Sequence, residues 1–316
     1  MQVFYDPEKV RLFSRPIVAI GMFDGVHIGH QQIIKQVVKK AKEDKATSVV
    51  LTFWPHPRKK QNILSLKKRL ELFRQLGIEV TVVIRFDERF KKLTAKEFVE
   101  KILYKKMATS QVYVGENFRF GYKMHANIQT LKNLANPLGI QVKIVKLHKY
   151  KGKPVSSSLI RKLIITGKIK TANRLLGRTF TISGTVVHAK GLARKWKIPT
   201  ANISTQQECL PPYGVYASRV FIKDKHYLGA CYIGRQPNFI QNTSFEKEKK
   251  ITIEVHIFDF SKQIYGKQIE VECVKKIRNP KSFRNEESLI RQIKEDIKKI
   301  KKYFSHLSAT RYSLIG

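Results

Sequence analysis

An apolar run from Ile17 to Ile20 stops at Gly21, and an apolar pattern of helical spacing, Ile33, Ile34, Val37 and Val38, starts near His30. The run reads as a buried strand and the pattern as the core-facing side of a helix. Between them stands Met22-Phe23-Asp24-Gly25-Val26-His27-Ile28-Gly29-His30. A strand that hands over to a helix N-terminus through a glycine-bearing turn collects anions, because unpaired N–H groups and the helix dipole point at the turn. Gly29 lets a phosphate approach the backbone, and the imidazoles of His27 and His30 can hydrogen-bond to it. The stretch predicts a nucleoside triphosphate site.

The rest of the first half repeats this grammar. Strand candidates are Ile17–Ile20, Ser48–Phe53, Glu79–Arg85, Gln111–Val114 and Gln141–Val145, with helical patterns between them, among them Leu66–Leu76 and Ala95–Met107. Such alternation predicts an α/β, Rossmann-like domain with a parallel sheet and right-handed crossovers. Ligands then sit at the carboxyl ends of the strands. His27, His30 and Asn117 follow strand ends, and Ser156 and Arg161 fall at the start of the next helix, Leu159–Thr166.

The pattern changes near Gly177-Arg178. Short alternating runs follow, Thr181–Val187, Gly214–Ile222, Tyr227–Ile233, Ile251–Phe258 and Gln268–Val274, punctuated by glycine and proline. They predict a small antiparallel β-barrel. A helix is expected from Glu286 to about Phe304, its apolar stripe being Leu289, Ile293, Ile297 and Ile300. The expected domains are therefore 1–180 and 181–316, each with its own core.

The net charge of +38 admits non-specific, salt-sensitive attraction to nucleic acid. The lysines are spread over the chain in short clusters that read as solvated helix faces, and a basic surface also recruits anionic nucleotides. Cys209, Cys231 and Cys273 are far apart, with no Cys-x-x-Cys and no zinc spacing. Together with Asp6 and Glu8 in place of an apolar leader, they point to a reducing cytoplasm. No apolar run reaches the length of a membrane span. Oligomeric state is not legible.

The run Gly21-x-Phe23-Asp24-Gly25-Val26-His27-x-Gly29-His30 resembles the opening of the prokaryotic bifunctional riboflavin kinase/FMN adenylyltransferase (FAD synthetase) family. Further matches follow in order: Thr52-Phe53-Trp54-Pro55-His56-Pro57, Val114-Gly115-Glu116-Asn117-Phe118-Arg119-Phe120-Gly121, Val155-Ser156-Ser157-Ser158-Leu159-Ile160-Arg161, Pro199-Thr200-Ala201-Asn202, Gly214-Val215-Tyr216-Ala217, and Ile253-Glu254-Val255-His256. The resemblance implies adenylyl transfer from ATP to FMN in the first half. His27 and His30 would hold the ATP phosphates. Arg161 would clamp the triphosphate beside Ser156 and Ser157, and Asn117 would face the FMN phosphate. Phe23, Asp24, Gly25 and Gly29 would shape the nucleotide loop. In the second half it implies phosphoryl transfer from ATP to riboflavin. Thr200 and Asn202 would supply oxygens to Mg²⁺ and phosphate, and Glu254 would be the general base. The alternative reading of Glu254 is one half of a cross-strand pair with one of the many lysines.

The chain departs from the family pattern in one place above all. Ala189, Ala193 and Lys197 stand where glycines are usual before Pro199-Thr200-Ala201-Asn202, and Cys231 to Phe239 also carries substitutions. Cβ atoms near phosphates remove conformational freedom. Alternatives are therefore a monofunctional FAD synthetase with a structural barrel, and, more remotely, a basic nucleic-acid-binding protein.

Overall fold

The computed structural model describes residues 1–5, 14–56, 61–188, 196, 198–235 and 251–312, side chains 308–312 excepted. The chain divides into two compact units, 1–162 with 174–178, and 163–173 with 179–316.

In the first unit, β1 (Gln2–Phe4), β2 (Ile17–Ile20), β3 (Ser48–Trp54), β4 (Val80–Arg85), β5 (Gln111–Gly115) and β6 (Gln141–Val145) form one parallel sheet in the order β1-β4-β3-β2-β5-β6. The register sets Val18 beside both Val49 and Val112, and Ile20 beside Leu51. Those residues join Val82, Phe98, Leu103 and Leu131 in one buried cluster on one face. The opposite face is covered by α1 (Ile28–Glu43), which buries Ile33, Ile34, Val37 and Ala41. Strands buried on both faces read as continuous apolar runs, which is why they are legible in the sequence.

The remaining helices of this unit are α2 (Leu66–Gln75), α3 (Glu88–Lys91), α4 (Ala95–Glu97) and α5 (Ile128–Ala135). The expected helix from Ala95 to Met107 is α4 running into a π-helix, Phe98–Lys106, a change of hydrogen bonding that apolar spacing does not reveal. A hairpin, β7 (Lys149–Tyr150) with β8 (Lys153–Pro154), leads to α6 (Ser157–Ile165), and α7 (Ile169–Leu176) follows. The strand order reverses between β2 and β5. Two crossovers leave β2 toward β3 and β4, and the chain returns to lay β5 on its other side. The loops after β2 and β5 therefore part at a switch point, where open α/β sheets bind ligands.

The second unit is a closed antiparallel barrel of β9 (Ile182–Val187), β10 (Ala201–Ser204), β11 (Gly214–Ile222), β12 (Lys225–Arg235), β13 (Ile251–Ile257) and β14 (Gln268–Arg278), in the order β10-β13-β12-β11-β14-β9. Helix α8 (Glu286–Tyr312) lays Ile297, Ile300, Tyr303 and Phe304 against Val215, Ala217 and Phe258. Closure removes the free strand edges that so short a sheet would otherwise present. The altered segment with Ala189, Ala193 and Lys197, and residues Gln236 to Phe239, lie outside the described residues.

Candidate functional site

The loop after β2 is held in an unusual shape. Phe23, Gly25 and Val26 have φ of 47°, 89° and 40°. Glycine takes such a value freely, whereas for a β-branched residue like Val26 it costs on the order of 1–3 kcal/mol and persists only if the surroundings enforce it. They do so through the loop's carbonyls. The Met22 oxygen accepts from Arg69 Nη1 (2.6 Å) and Thr52 Oγ1 (3.1 Å). The Asp24 oxygen accepts from Ser157 Oγ (2.6 Å), and the Gly25 oxygen from Arg178 Nη2 (2.7 Å). The Val26 oxygen accepts from Arg178 Nη1 (3.0 Å) and Gln31 Nε2 (2.9 Å). The Phe23 oxygen takes the Val26 amide (3.1 Å). With its carbonyls thus engaged, and the Val26 amide bonded within the loop, the remaining loop amides are the groups left to meet an anion, as in backbone nests.

The side chain of Asp24 completes the brace. Its carboxylate receives Arg161 Nη2 at 2.5 Å and the Ile63 amide at 3.1 Å, and it is 1% exposed. Burial pushes its pKa up, while Arg161, Arg69 and the amides of Ile63 and Leu64 pull it down. A contact this short to a guanidinium keeps the carboxylate ionised at neutral pH. Arg161 also donates to the Gln61 carbonyl at 2.7 Å, so two of its donors are committed to the loop's scaffold.

His27 caps α1: its Nδ1 accepts the His30 amide at 3.4 Å. An accepting Nδ1 places the ring proton on Nε2 in the neutral imidazole. The rings of His27 and His30 stack at 3.6 Å, and Phe23 packs edge-on against His30 at 5.2 Å. Burial, with help from Arg178, pushes the His27 pKa down to about 3, and burial first, then His27, Arg69 and Arg178, holds His30 well below its usual value. Both rings are neutral donors set among guanidinium groups. His30 Nδ1 is buried with no hydrogen-bond partner among the described residues.

Asn117 is exposed on the turn after β5. Leu147 lies against both Gly115, at the end of β5, and Gly29, in the first turn of α1. Leu147 therefore packs between the end of β5 and the first turn of α1. Ser156 accepts the Leu159 amide at 3.3 Å and so caps α6.

Arg69, Gln31 and Arg178 escaped the sequence reading as loop-holding residues. Arg69 is 1% exposed, lies 5.0 Å from the Trp54 ring, and its Nε has no partner among the described residues. Its signal was available: on α2, Arg69 occupies the same buried stripe as Phe73, where an apolar residue is expected.

In the barrel, Asn202 pairs with Glu254, and Glu254 pairs with Tyr232. Directly opposed residues share a face, so Asn202, Glu254 and Tyr232 form a row across β10, β13 and β12. Thr200 immediately precedes β10, and the Pro199 carbonyl is bonded to His256 Nδ1 at 2.8 Å. Among the described residues Glu254 has no ion-pair partner, so the lysine-pair alternative has no support from the geometry. Burial raises its pKa. A carboxylate with raised basicity beside neutral oxygen donors is suited to accept a proton from a hydroxyl.

Two family models match the chain in succession, FAD synthetase over residues 11–159 and riboflavin kinase over residues 176–304. The chain is 35% identical over 304 residues to a protein of Buchnera aphidicola (Schizaphis graminum) named bifunctional riboflavin kinase/FMN adenylyltransferase, covering 93% of this chain and 96% of that one. A Bacillus subtilis protein of the same name is 32% identical, with 93% and 94% covered. A crystal structure of a Streptococcus pneumoniae protein, described as a macrolide-efflux protein, superposes with a TM-score of 0.76 at 29% identity, covering 94% of this chain and 97% of that one. No described helix of this chain is long and apolar enough to cross a membrane.

Proposed function

We propose, for a chain that belongs to the bifunctional riboflavin kinase/FMN adenylyltransferase family, a division of labour in which residues 1–180 adenylylate FMN and residues 181–316 phosphorylate riboflavin. The chain makes FMN from riboflavin and ATP, and FAD from FMN and ATP. Both family models are matched, which favours this over a monofunctional FAD synthetase.

The observation that carries the adenylyl half is the Met22–Val26 loop, its carbonyls bonded from behind at the sheet's switch point. An FMN phosphate oxygen attacks the α-phosphorus of ATP. That P–O bond forms as the α–β bridging bond breaks, and its electron pair leaves with pyrophosphate. No protein nucleophile is required, so the site's work is positioning and charge stabilisation. The loop and α1 amides, with neutral His27 and His30, would hold the departing pyrophosphate. Asn117 would address the FMN phosphate. Ser157 and Arg161 would act chiefly by fixing the loop, since both bond to Asp24, and Ser156 by capping α6.

In the barrel, Glu254 would take the proton from the riboflavin 5′-hydroxyl as that hydroxyl's oxygen attacks the γ-phosphorus of ATP, the β–γ bridging bond breaking and its electron pair leaving with ADP. No cluster of three acidic, histidine or cysteine ligands exists among the described residues. Mg²⁺ bound to ATP needs no such cluster, because it keeps waters and phosphate oxygens and takes few protein ligands. The Thr200 hydroxyl and Asn202 carbonyl fit that need, and the ion would neutralise phosphate charge. The three buried cysteines, none of them in a disulfide, fit work in the cytoplasm.

The test is direct. The protein is incubated with riboflavin, ATP and Mg²⁺, and the flavins are separated. FMN and FAD should both appear. FAD from supplied FMN without FMN from riboflavin would leave the barrel without its assigned role.

A further inference from the structure

Arg178 lies in the stretch matched by the riboflavin kinase model, residues 176–304, yet residues 174–178 belong to the first compact unit. Its fork spans two successive peptides, Nη2 to the Gly25 oxygen at 2.7 Å and Nη1 to the Val26 oxygen at 3.0 Å. Nη1 also reaches the Leu176 oxygen at 3.3 Å, and Gln31 Nε2 joins the Leu176 and Val26 oxygens at 2.8 and 2.9 Å. The segment is seated closely. Gly177 has φ of 66°, and a Cβ there would stand 2.9 Å from Ile28 Cγ2.

We infer that Arg178 is a positioning residue of the adenylyl-transfer site, reaching back from beyond α7 to fix the peptides of Gly25 and Val26 so that their carbonyls stay turned from the ATP phosphates and the His27 amide, which shares the Val26 peptide, faces them. The inference rests on the adenylyl-transfer reading of this loop. Those two carbonyls must point away from a polyphosphate, since a carbonyl oxygen turned toward it repels it where an amide attracts it. Val26 at φ of 40° would relax toward negative φ if released, and that rotation turns its peptide. A guanidinium spans both oxygens in one plane, whereas a lysine ammonium reaches one or the other. The nucleotide site is therefore incomplete in the segment matched as FAD synthetase, which ends at residue 159.

The test uses the full chain and assays the two steps separately. Arg178→Ala should raise the KM for ATP in the FMN-to-FAD step by about tenfold or more, by analogy with small misplacements in other sites, while the KM for FMN stays within about twofold. Riboflavin phosphorylation should be unchanged. Arg178→Lys should recover part of the loss. Independently of turnover, hydrogen exchange of the Gly25 to Gly29 amides should speed up about tenfold in the alanine variant. An unchanged ATP KM, or equal losses in both steps, overturns the inference, and so does unaltered exchange in this segment. If the unmutated protein makes no FAD from FMN, the adenylyl-transfer reading falls, and the exchange comparison still decides whether Arg178 holds the loop.

Discussion

Asp24 and Arg161, 137 residues apart, meet at 2.5 Å and brace the Met22–Val26 loop, with side chains 2% and 10% exposed. Arg69, also buried, is attracted to the same carboxylate. Removing one partner of a buried pair leaves an uncompensated charge, which costs about 3–5 kcal/mol. Asp24→Asn keeps the shape and removes the charge from between two guanidinium groups. It should destabilise the first unit by roughly that amount, read as a shift in its urea midpoint. A loss under about 1 kcal/mol would mean that the pair behaves as a surface contact.

His27 supplies a pH dependence with a definite sign. Its pKa in the fold is about 3, against 6.5 for an ordinary histidine. Between these values the unfolded chain binds a proton that the folded one refuses, so stability is lost as pH falls through this window. The loss amounts to about 1.4 kcal/mol per pH unit at most. The first unit should unfold at markedly lower temperature at pH 5 than at pH 7.5, and His27→Asn should flatten that difference. An unchanged slope in the variant would assign the acid sensitivity to other groups.

What the sequence revealed and what it hid follow from different physics. The strands Ile17–Ile20 and Gln141–Val145 were legible to the residue, and the antiparallel runs to within a few. Burial on both faces of β2, or alternation along a barrel strand, leaves a local imprint, whereas the edge strand β6 is largely exposed and shows itself by its apolar residues Val142, Ile144 and Val145. Strands β1 and β10 were missed because the three residues of β1 and the run Ala201-Asn202-Ile203-Ser204 of β10, with Ile203 its one large apolar side chain, leave no apolar run like Ile17–Ile20. His27, His30, Asn117 and Glu254 could be singled out because their motifs are contiguous. Arg69, Gln31 and Arg178 were missed as loop-holding residues because each acts on backbone oxygens distant in sequence, and carbonyls carry no sequence signature. Arg178 was noticed only as a boundary marker, and its bonds to Gly25 and Val26 belong to the fold alone.

The same bonds make a prediction about chain length. A fragment ending at residue 180 retains Arg178, and one ending at residue 173 loses it along with the whole 174–178 segment. The longer fragment should convert FMN to FAD at a rate near that of the full protein. The shorter should fall by about tenfold or more even where its far-ultraviolet circular dichroism is intact. Equal activity in the two soluble fragments would show that the segment is dispensable.

The two halves can be separated in one crossed experiment. Glu254 stands in register with Asn202 and Tyr232, carries a raised pKa from burial, and has no described cationic partner. Glu254→Gln keeps size and hydrogen bonding but cannot accept the hydroxyl proton, so riboflavin phosphorylation should slow by about a hundredfold or more. FMN adenylylation should stay within about twofold, because the residue belongs to the barrel unit. His27→Ala removes the α1 cap and a neutral donor from the first unit, and it should do the reverse. Each variant is the folding control for the other. If Glu254→Gln slows both steps alike, the carboxylate is supporting the fold. If it slows neither, the proton leaves the riboflavin hydroxyl by another route, and Glu254 is only a partly buried neighbour of Asn202.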